Sequence, residues 1–310
     1  MTAALERSIL AYDVGGSHVS AAVCRNGSFQ LGPVATSPHP AEQSSDAFVE
    51  ALYSLGTQAS AGLDGIAGAQ LAMPGPFDFS RGVSLMRHKL PYLYGVELRQ
   101  PLARRFGWEA GQVRFLHDAA AFLLGEIGAG AARGVARAAG ITLGTGIGSA
   151  FALNGCLVTE GHGVPPGGEI WNLPYEQGII EDSVSARAIR GSYEKQTNVS
   201  REVVELAASA AVDAAASEAF AEFGKHLGRA LRGALAAFAP QVVVLGGGIC
   251  RSEQLFLAAT RRELRGLNTQ LRISRLLDDA PLVGAGVAWF NDSNGLSSEL
   301  IADSTQANAE

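Results

Sequence analysis

Two short glycine turns in this chain carry a hydroxyl residue and follow an apolar run. In the first, Gly15, Gly16 and Ser17 come after Asp13. In the second, Gly144, Thr145 and Gly146 come after Leu143. A glycine lets the backbone approach a bulky anion, its exposed N–H can point at a phosphate oxygen, and the hydroxyl adds a donor. Two such turns can hold the tail of a nucleoside triphosphate from both sides, although each alone reads first as an ordinary hairpin turn. The lysine-type phosphate loop, GxxxxGK[ST], is absent. Gly246, Gly247 and Gly248 end another apolar run. A nucleotide could lie against them, or they form a plain strand-to-helix turn.

Carboxylates supply the second group. Asp118 ends a strand-like run and precedes a helix of small residues. There it is either a general base for an acceptor hydroxyl or a cap for the helix that follows. Glu169, Glu181 and Asp182 sit in or beside a glycine- and proline-rich stretch with Trp171 and Asn172. Planar acceptors and amides beside an aromatic face suit sugar hydroxyls, and a solvated polar loop is the plainer alternative. The histidines are scattered, and His162 has no second ligand at metal-like spacing. Cys24, Cys156 and Cys250 are odd in number and form no CxxC pair, which suits a reducing cytosol and argues against a disulfide framework or a cysteine–zinc cluster.

The elements that must position these groups alternate between strand and helix. Apolar runs predict strands at 8–14, 18–24 and 65–71, with a third strand of the first hairpin near 28–31 after the Asn26–Gly27 turn. Further strands are expected at 113–116, 241–245 and 270–273, with a second glycine-turned pair over 140–151. Helical spacing covers 41–60, 96–106, 119–130, 183–193 and 252–267, two helices within 200–238, and a last helix beginning at 284–290. Residues 164–177 read as a loop, and 297–310 as a polar, frayed tail. The strand–glycine turn–strand pattern occurs once in each half. This approximate repeat predicts duplicated lobes with a ligand cleft.

With 310 residues, two lobes or one large α/β domain is expected. Apolar residues make up 47% and charged residues 17%, enough for sizeable cores. Twenty-four Lys and Arg against 30 Asp and Glu give a net charge of −6 without a basic block, which speaks against nucleic acid and anionic membranes as partners. The N-terminus lacks an apolar core of signal-peptide length. Residues 138–159 carry no charge, but their glycines and hydroxyls favour a hairpin over a membrane helix.

The ordered set of segments resembles the ROK family of bacterial sugar kinases and repressors, within the actin-like ATPase superfamily. Asp13–Val14–Gly15–Gly16–Ser17 is similar to its first phosphate motif, DxGGT. Met73–Pro74–Gly75–Pro76 resembles GxPGP, and Leu116–His117–Asp118–Ala119–Ala120 resembles NDANA. Leu143–Gly144–Thr145–Gly146–Ile147–Gly148 matches the second phosphate motif, and Val244 to Gly248 resembles the adenosine-side motif. Gly168–Glu169–Ile170–Trp171–Asn172 stands at GExGH and Ile180–Glu181 at CLE. The zinc segment CxCGxxGC is missing, Asn172 replaces its histidine, and His18 replaces the lysine that often follows GGT.

The resemblance implies an α/β fold of two actin-like (ribonuclease H-like) lobes with a cleft between them. The first lobe would span 1–118, with a last helix near 283–310 packing back on it, and the second 119–282. It implies ATP-dependent transfer to the 6-hydroxyl of a hexose, glucose first, with fructose or an N-acetylhexosamine as alternatives and a non-catalytic sugar-binding regulator as the rival. Asp118 would be the base. Gly75, His117, Glu169, Asn172 and Glu181 would bind sugar. Gly15, Gly16, Ser17, Gly144, Thr145, Gly146, Gly246, Gly247 and Gly248 would bind ATP, and Asp13 would reach Mg²⁺ through water. A cytoplasmic homodimer without zinc is the expected setting, and the chain leaves no room for the repressors' helix-turn-helix.

Overall fold

The computed structural model describes residues 8–293. They form two compact units, 8–130 with 279–293 and 131–278.

In the first unit, β1 (Ser8–Val14), β2 (His18–Arg25) and β3 (Ala35–Pro38) are followed by α1 (Ser45–Ala59) and β4 (Ile66–Met73). A small pair, β5 (Phe77–Asp78) and β6 (Val83–Ser84), precedes α2 (Arg99–Phe106), β7 (Val113–His117) and α3 (Asp118–Gly128). The sheet order is β3-β2-β1-β4-β7, with β1–β2–β3 antiparallel and β1–β4–β7 parallel. Alternation along β1 divides the core. Leu10, Tyr12 and Val14 pack with Phe48, Leu52 and Leu102 from α1 and α2, while Ile9 and Ala11 pack toward Leu282 and Trp289 on the other face.

The second unit repeats the plan with β8 (Arg137–Leu143), β9 (Ile147–Leu153) and β10 (Cys156–Val158). Then come a two-residue pair, β11 (Pro174–Tyr175) and β12 (Gly178–Ile179), and α4 (Ile180–Ser183), α5 (Ala186–Thr197), α6 (Val203–Ser209) and α7 (Ala214–Leu235). β13 (Val242–Gly246), α8 (Glu253–Glu263) and β14 (Gln270–Ile273) complete it. The order β10-β9-β8-β13-β14 has the same antiparallel and parallel halves as the first sheet. The uncharged run 138–159 is thus β8 to β10, and no helix among the described residues is long and apolar enough to cross a membrane.

The last helix, α9 (Ala280–Ser293), belongs to the first unit and packs on α3. Small residues permit the close approach. A Cβ on Gly125 would stand 2.0 Å from the Ala280 carbonyl oxygen, and one on Gly284 would stand 1.7 Å from that of Ala121. α3 therefore lies with the first unit, past the boundary that the sequence suggested at 118.

The third strand differs from expectation. Gly27 and Phe29 take left-handed backbone, Phe29 N–H bonds back to the Arg25 carbonyl, and Leu31 makes only an isolated bridge to Cys24. Pro33 cannot donate to a ladder, and regular pairing resumes at Ala35–Pro38. Residues 164–177 are also less irregular than expected. They contain a 3₁₀ turn at Pro166–Gly168 and the first strand of the β11–β12 pair. The helix expected at 183–193 is α5, displaced toward the C-terminus behind the single turn of α4. The readings of the extreme N-terminus and of 297–310 lie outside the described residues.

Candidate active site

Three parallel strands of the first unit deliver the candidate groups to one sheet edge. Register pairs Asp13 of β1 with Ala72 of β4, and Met73 of β4 with His117 of β7. The turn after β1, Gly75 after β4 and Asp118 after β7 therefore sit together at the carboxyl ends, where open α/β sheets bind ligands. Asp118 is the first residue of α3. His117 holds the N-cap position without a side-chain capping bond, so Asp118 is not the cap that sequence left open. Its Oδ1 accepts from the Ala119 N–H at 2.7 Å and lies 3.3 Å from His117 Nε2. The Asp118 side chain is 34% exposed, so solvent reaches it. A carboxylate in a first helical turn is also favoured by the helix dipole. Gly75 borders the same group, since a Cβ there would be 3.6 Å from His117 Nε2.

The first glycine turn is braced from outside. Gly15 N–H donates to the His18 carbonyl, and Ser17 Oγ lies 3.1 Å from His18 Nδ1. His39, which spacing did not single out, holds both ends. Its Nε2 is 2.8 Å from the Gly15 carbonyl oxygen, and its backbone N–H donates to the Ser17 carbonyl at 3.3 Å. Its only mark in sequence is a position between Pro38 and Pro40. Gly16 and Ser17 remain exposed.

In the second unit, the turn between β8 and β9 stands beside the end of β13. Gly247 has φ 87°, and a Cβ on it would be 2.4 Å from the Leu143 carbonyl oxygen, so only glycine allows the two strand ends this close. Gly246 is buried within β13, whereas Gly248 faces open space. A Cβ on Gly144 would also meet nothing, and Thr145 is exposed. Cys250 Sγ donates to the Gly246 carbonyl at 3.1 Å, and burial pushes its thiol up to about 12, marking it as structural.

The loop after β10 is attached to this turn. Ser149, buried in β9, donates to the Gly168 carbonyl at 2.7 Å and accepts from Ile170 N–H at 3.0 Å, another support that pattern reading missed. Half-buried Glu169 accepts from Trp171 Nε1 at 2.8 Å, and Asn172 is exposed. Glu181 N–H donates to the Trp171 carbonyl at 3.0 Å, bringing Glu181 to the same loop. Its carboxylate, however, is engaged with the glycine turn: Oε2 accepts from Ile147 N–H at 3.2 Å. Asp182 bonds Ile179 N–H and Arg187 instead. His162 is exposed. Among the described residues, no group of three or more His, Cys, Asp or Glu side chains is arranged to hold a metal.

Comparison with known proteins gives this geometry its context. The sequence profile of the ROK family matches residues 9–292. The chain belongs to the ROK family. A glucokinase of Thermotoga maritima is 30% identical over 249 residues, spanning 69% of this chain and 76% of that one. The ROK hexokinase from Thermus thermophilus superposes with a TM-score of 0.77 at 29% identity, covering 93% of this chain and 99% of its own. A ROK family glucokinase from Streptomyces griseus, solved with glucose and AMPPNP, gives a TM-score of 0.76 over 90% of this chain and 97% of its own. At 23% identity that likeness speaks to the fold alone. The two repeated α/β sheets are thus the actin-like ATPase fold of ROK kinases.

Proposed function

We propose that this ROK protein is an ATP-dependent hexose kinase with Asp118 as its general base and glucose as its first substrate. The observation that carries the reading is the grouping of Asp118, His117 and Gly75 at the carboxyl edge of the sheet whose β1 carries Asp13 and ends in the turn of Gly15, Gly16 and Ser17. The 6-hydroxyl oxygen attacks the γ-phosphorus, the bond to the bridging oxygen of ADP breaks, and the hydroxyl proton passes to the Asp118 carboxylate. Such a base adds about 10²–10⁴-fold to the rate.

Catalysis of phosphoryl transfer rests mostly on positioning and charge stabilisation. Exposed Gly16 and Ser17 in the first unit, and Gly144 and Thr145 in the second, offer donors to phosphate oxygens. Gly146, Gly246, Gly247 and Gly248 would shape the nucleotide side of the second unit. Magnesium bound with the nucleotide would neutralise charge on the phosphates. Such an ion keeps most of its waters and uses only one or two carboxylates, so Asp13, near the end of β1, would hold it through water. His117, Glu169, Asn172 and Glu181 would orient the sugar hydroxyls. Asn172 both donates and accepts, so the loop can serve fructose or an N-acetylhexosamine as the alternative acceptor.

A coupled ADP-release assay over glucose, fructose, mannose and N-acetylhexosamines tests the reading. Sugar-dependent release with one hexose preferred is the expected result. Sugar binding without sugar-dependent release would instead identify a regulator.

A further inference from the structure

We propose that His226 on α7 is a positioning residue, the centre of a polar clamp that holds the β11–β12 hairpin and, through it, the loop carrying Glu169, Asn172 and Glu181. The proposal rests on the sugar-binding reading of that loop.

The hairpin pairs over few residues, and its apolar hold on the core comes from the partly buried Leu173 and Tyr175. Each strand is two residues long, paired only at Pro174 with Ile179 and Tyr175 with Gly178, and an isolated pair of this size is not stable in water. Beside it lies a cavity of about 340 Å³ whose lining includes Glu176, Asp182, Arg187, Lys195, Glu222 and His226. Close packing therefore does not lock this side of the hairpin.

What crosses from hairpin to helix is one hydrogen bond with carboxylates beside it. Tyr175 Oη lies 2.9 Å from His226 Nδ1, and their rings meet edge to face. Glu176 Oε1 is 3.5 Å from the same nitrogen, and Glu222 Oε1, one turn away on α7, is 3.8 Å from Nε2. The His226 side chain is only 20% exposed, which makes its contacts costly to lose. Burial and the neighbouring Glu176 charge raise the Tyr175 pKa, so its hydroxyl keeps its proton. Glu176 itself has φ 51°, a left-handed conformation that glycine or asparagine adopts at less cost. A glutamate at that position gives the turn a carboxylate facing His226, which glycine could not.

The hairpin passes its position on. Ile180 N–H donates to the Leu173 carbonyl and Glu181 N–H to the Trp171 carbonyl, both at 3.0 Å. These two bonds tie the start of α4, just past the hairpin, to the segment entering it, with Asn172 between their acceptors. Releasing Tyr175 from α7 loosens that closure, while the bracing of the loop by Ser149 is untouched.

The test compares His226→Ala and His226→Asn with wild type, because asparagine places an acceptor near the position of Nδ1. Steady-state kinetics vary hexose and MgATP separately, and hydrogen exchange is followed in peptides covering 169–182. In His226→Ala the hexose KM should rise about 5- to 10-fold, with the ATP KM within twofold, and the Ile180 and Glu181 amides should exchange faster. His226→Asn should recover most of both. Equal rises in the two KM values, or faster exchange confined to α7, would overturn the proposal, as would a lowered melting temperature with unchanged KM values. Should wild type phosphorylate no hexose while the exchange pattern still appears, the sugar reading fails and the clamp stands.

Discussion

An alanine at position 146 would place its Cβ 2.1 Å from Glu181 Oε2, closer than real contacts allow. Gly146 is not among the glycines with left-handed φ, so the backbone itself accepts alanine. What must yield is the carboxylate, the free end of a flexible side chain, and its displacement breaks the bond from Ile147 N–H. A hydrogen bond to a charged acceptor contributes about 1.5–3 kcal/mol. Glu181 is half-buried, and water replaces part of that, leaving about 1–2 kcal/mol, or roughly 5- to 30-fold in kcat/KM. Glu181→Ala removes the same bond. The two substitutions should therefore not add, and Gly146→Ala should cost less than about twofold once Glu181 is already alanine. Steady-state kinetics on the two single variants and the double variant, with melting curves to establish folding, measure the coupling. Independent losses that multiply in the double variant, or no loss in Gly146→Ala, would refute the link between Glu181 and the glycine turn.

Three further outcomes are expected. His39→Ala, which frees the Gly15 carbonyl, should raise the ATP KM about 3- to 10-fold with little change for sugar, and an equal change in both would remove its assignment to the phosphate turn. Asp213 caps α7 through the Ala215 and Ala216 N–H groups and accepts from Tyr193, which lowers its carboxyl pKa from the usual value. A lowered folded-state pKa means stability present above the unfolded value, about 4, and lost as pH falls through the folded one. The melting-temperature gap between wild type and Asp213→Ala should thus be full at pH 7 and narrow below about pH 4. A constant gap would contradict it. Elemental analysis of protein purified without chelator should find far less than one zinc per chain, and stoichiometric zinc would overturn the expectation drawn from the missing cysteines.

Most of the fold was legible because its signals are local. The apolar runs, the Asn26–Gly27 turn and the strand–turn–strand repeat each lie within a short window, and the repeat anticipates two sheets of like order. The third strand was misplaced because a left-handed Phe29 and Pro33 delay pairing, and neither effect shows in strand propensity. The candidate residues were legible through ordered motifs, but their supports were not. His39 meets Gly15, Ser149 meets Gly168 and Tyr175 meets His226 only through the folded chain, and none carries a periodic or compositional mark. Glu181 shows the same limit. Spacing put it beside the sugar loop, and the further tie of its carboxylate to Ile147 N–H shows only in the folded chain.

The central claim, that Asp118 takes the proton of a sugar hydroxyl, is tested most directly by turnover of Asp118→Asn at saturating hexose and MgATP. Asparagine keeps the shape, and the helix-terminus interaction it gives up is worth only about 0.3–1 kcal/mol, so folding should persist. Turnover should fall about 10²–10⁴-fold while hexose affinity, measured by calorimetry, stays within a few-fold of wild type. Turnover close to wild type in that variant would show that Asp118 is not the base.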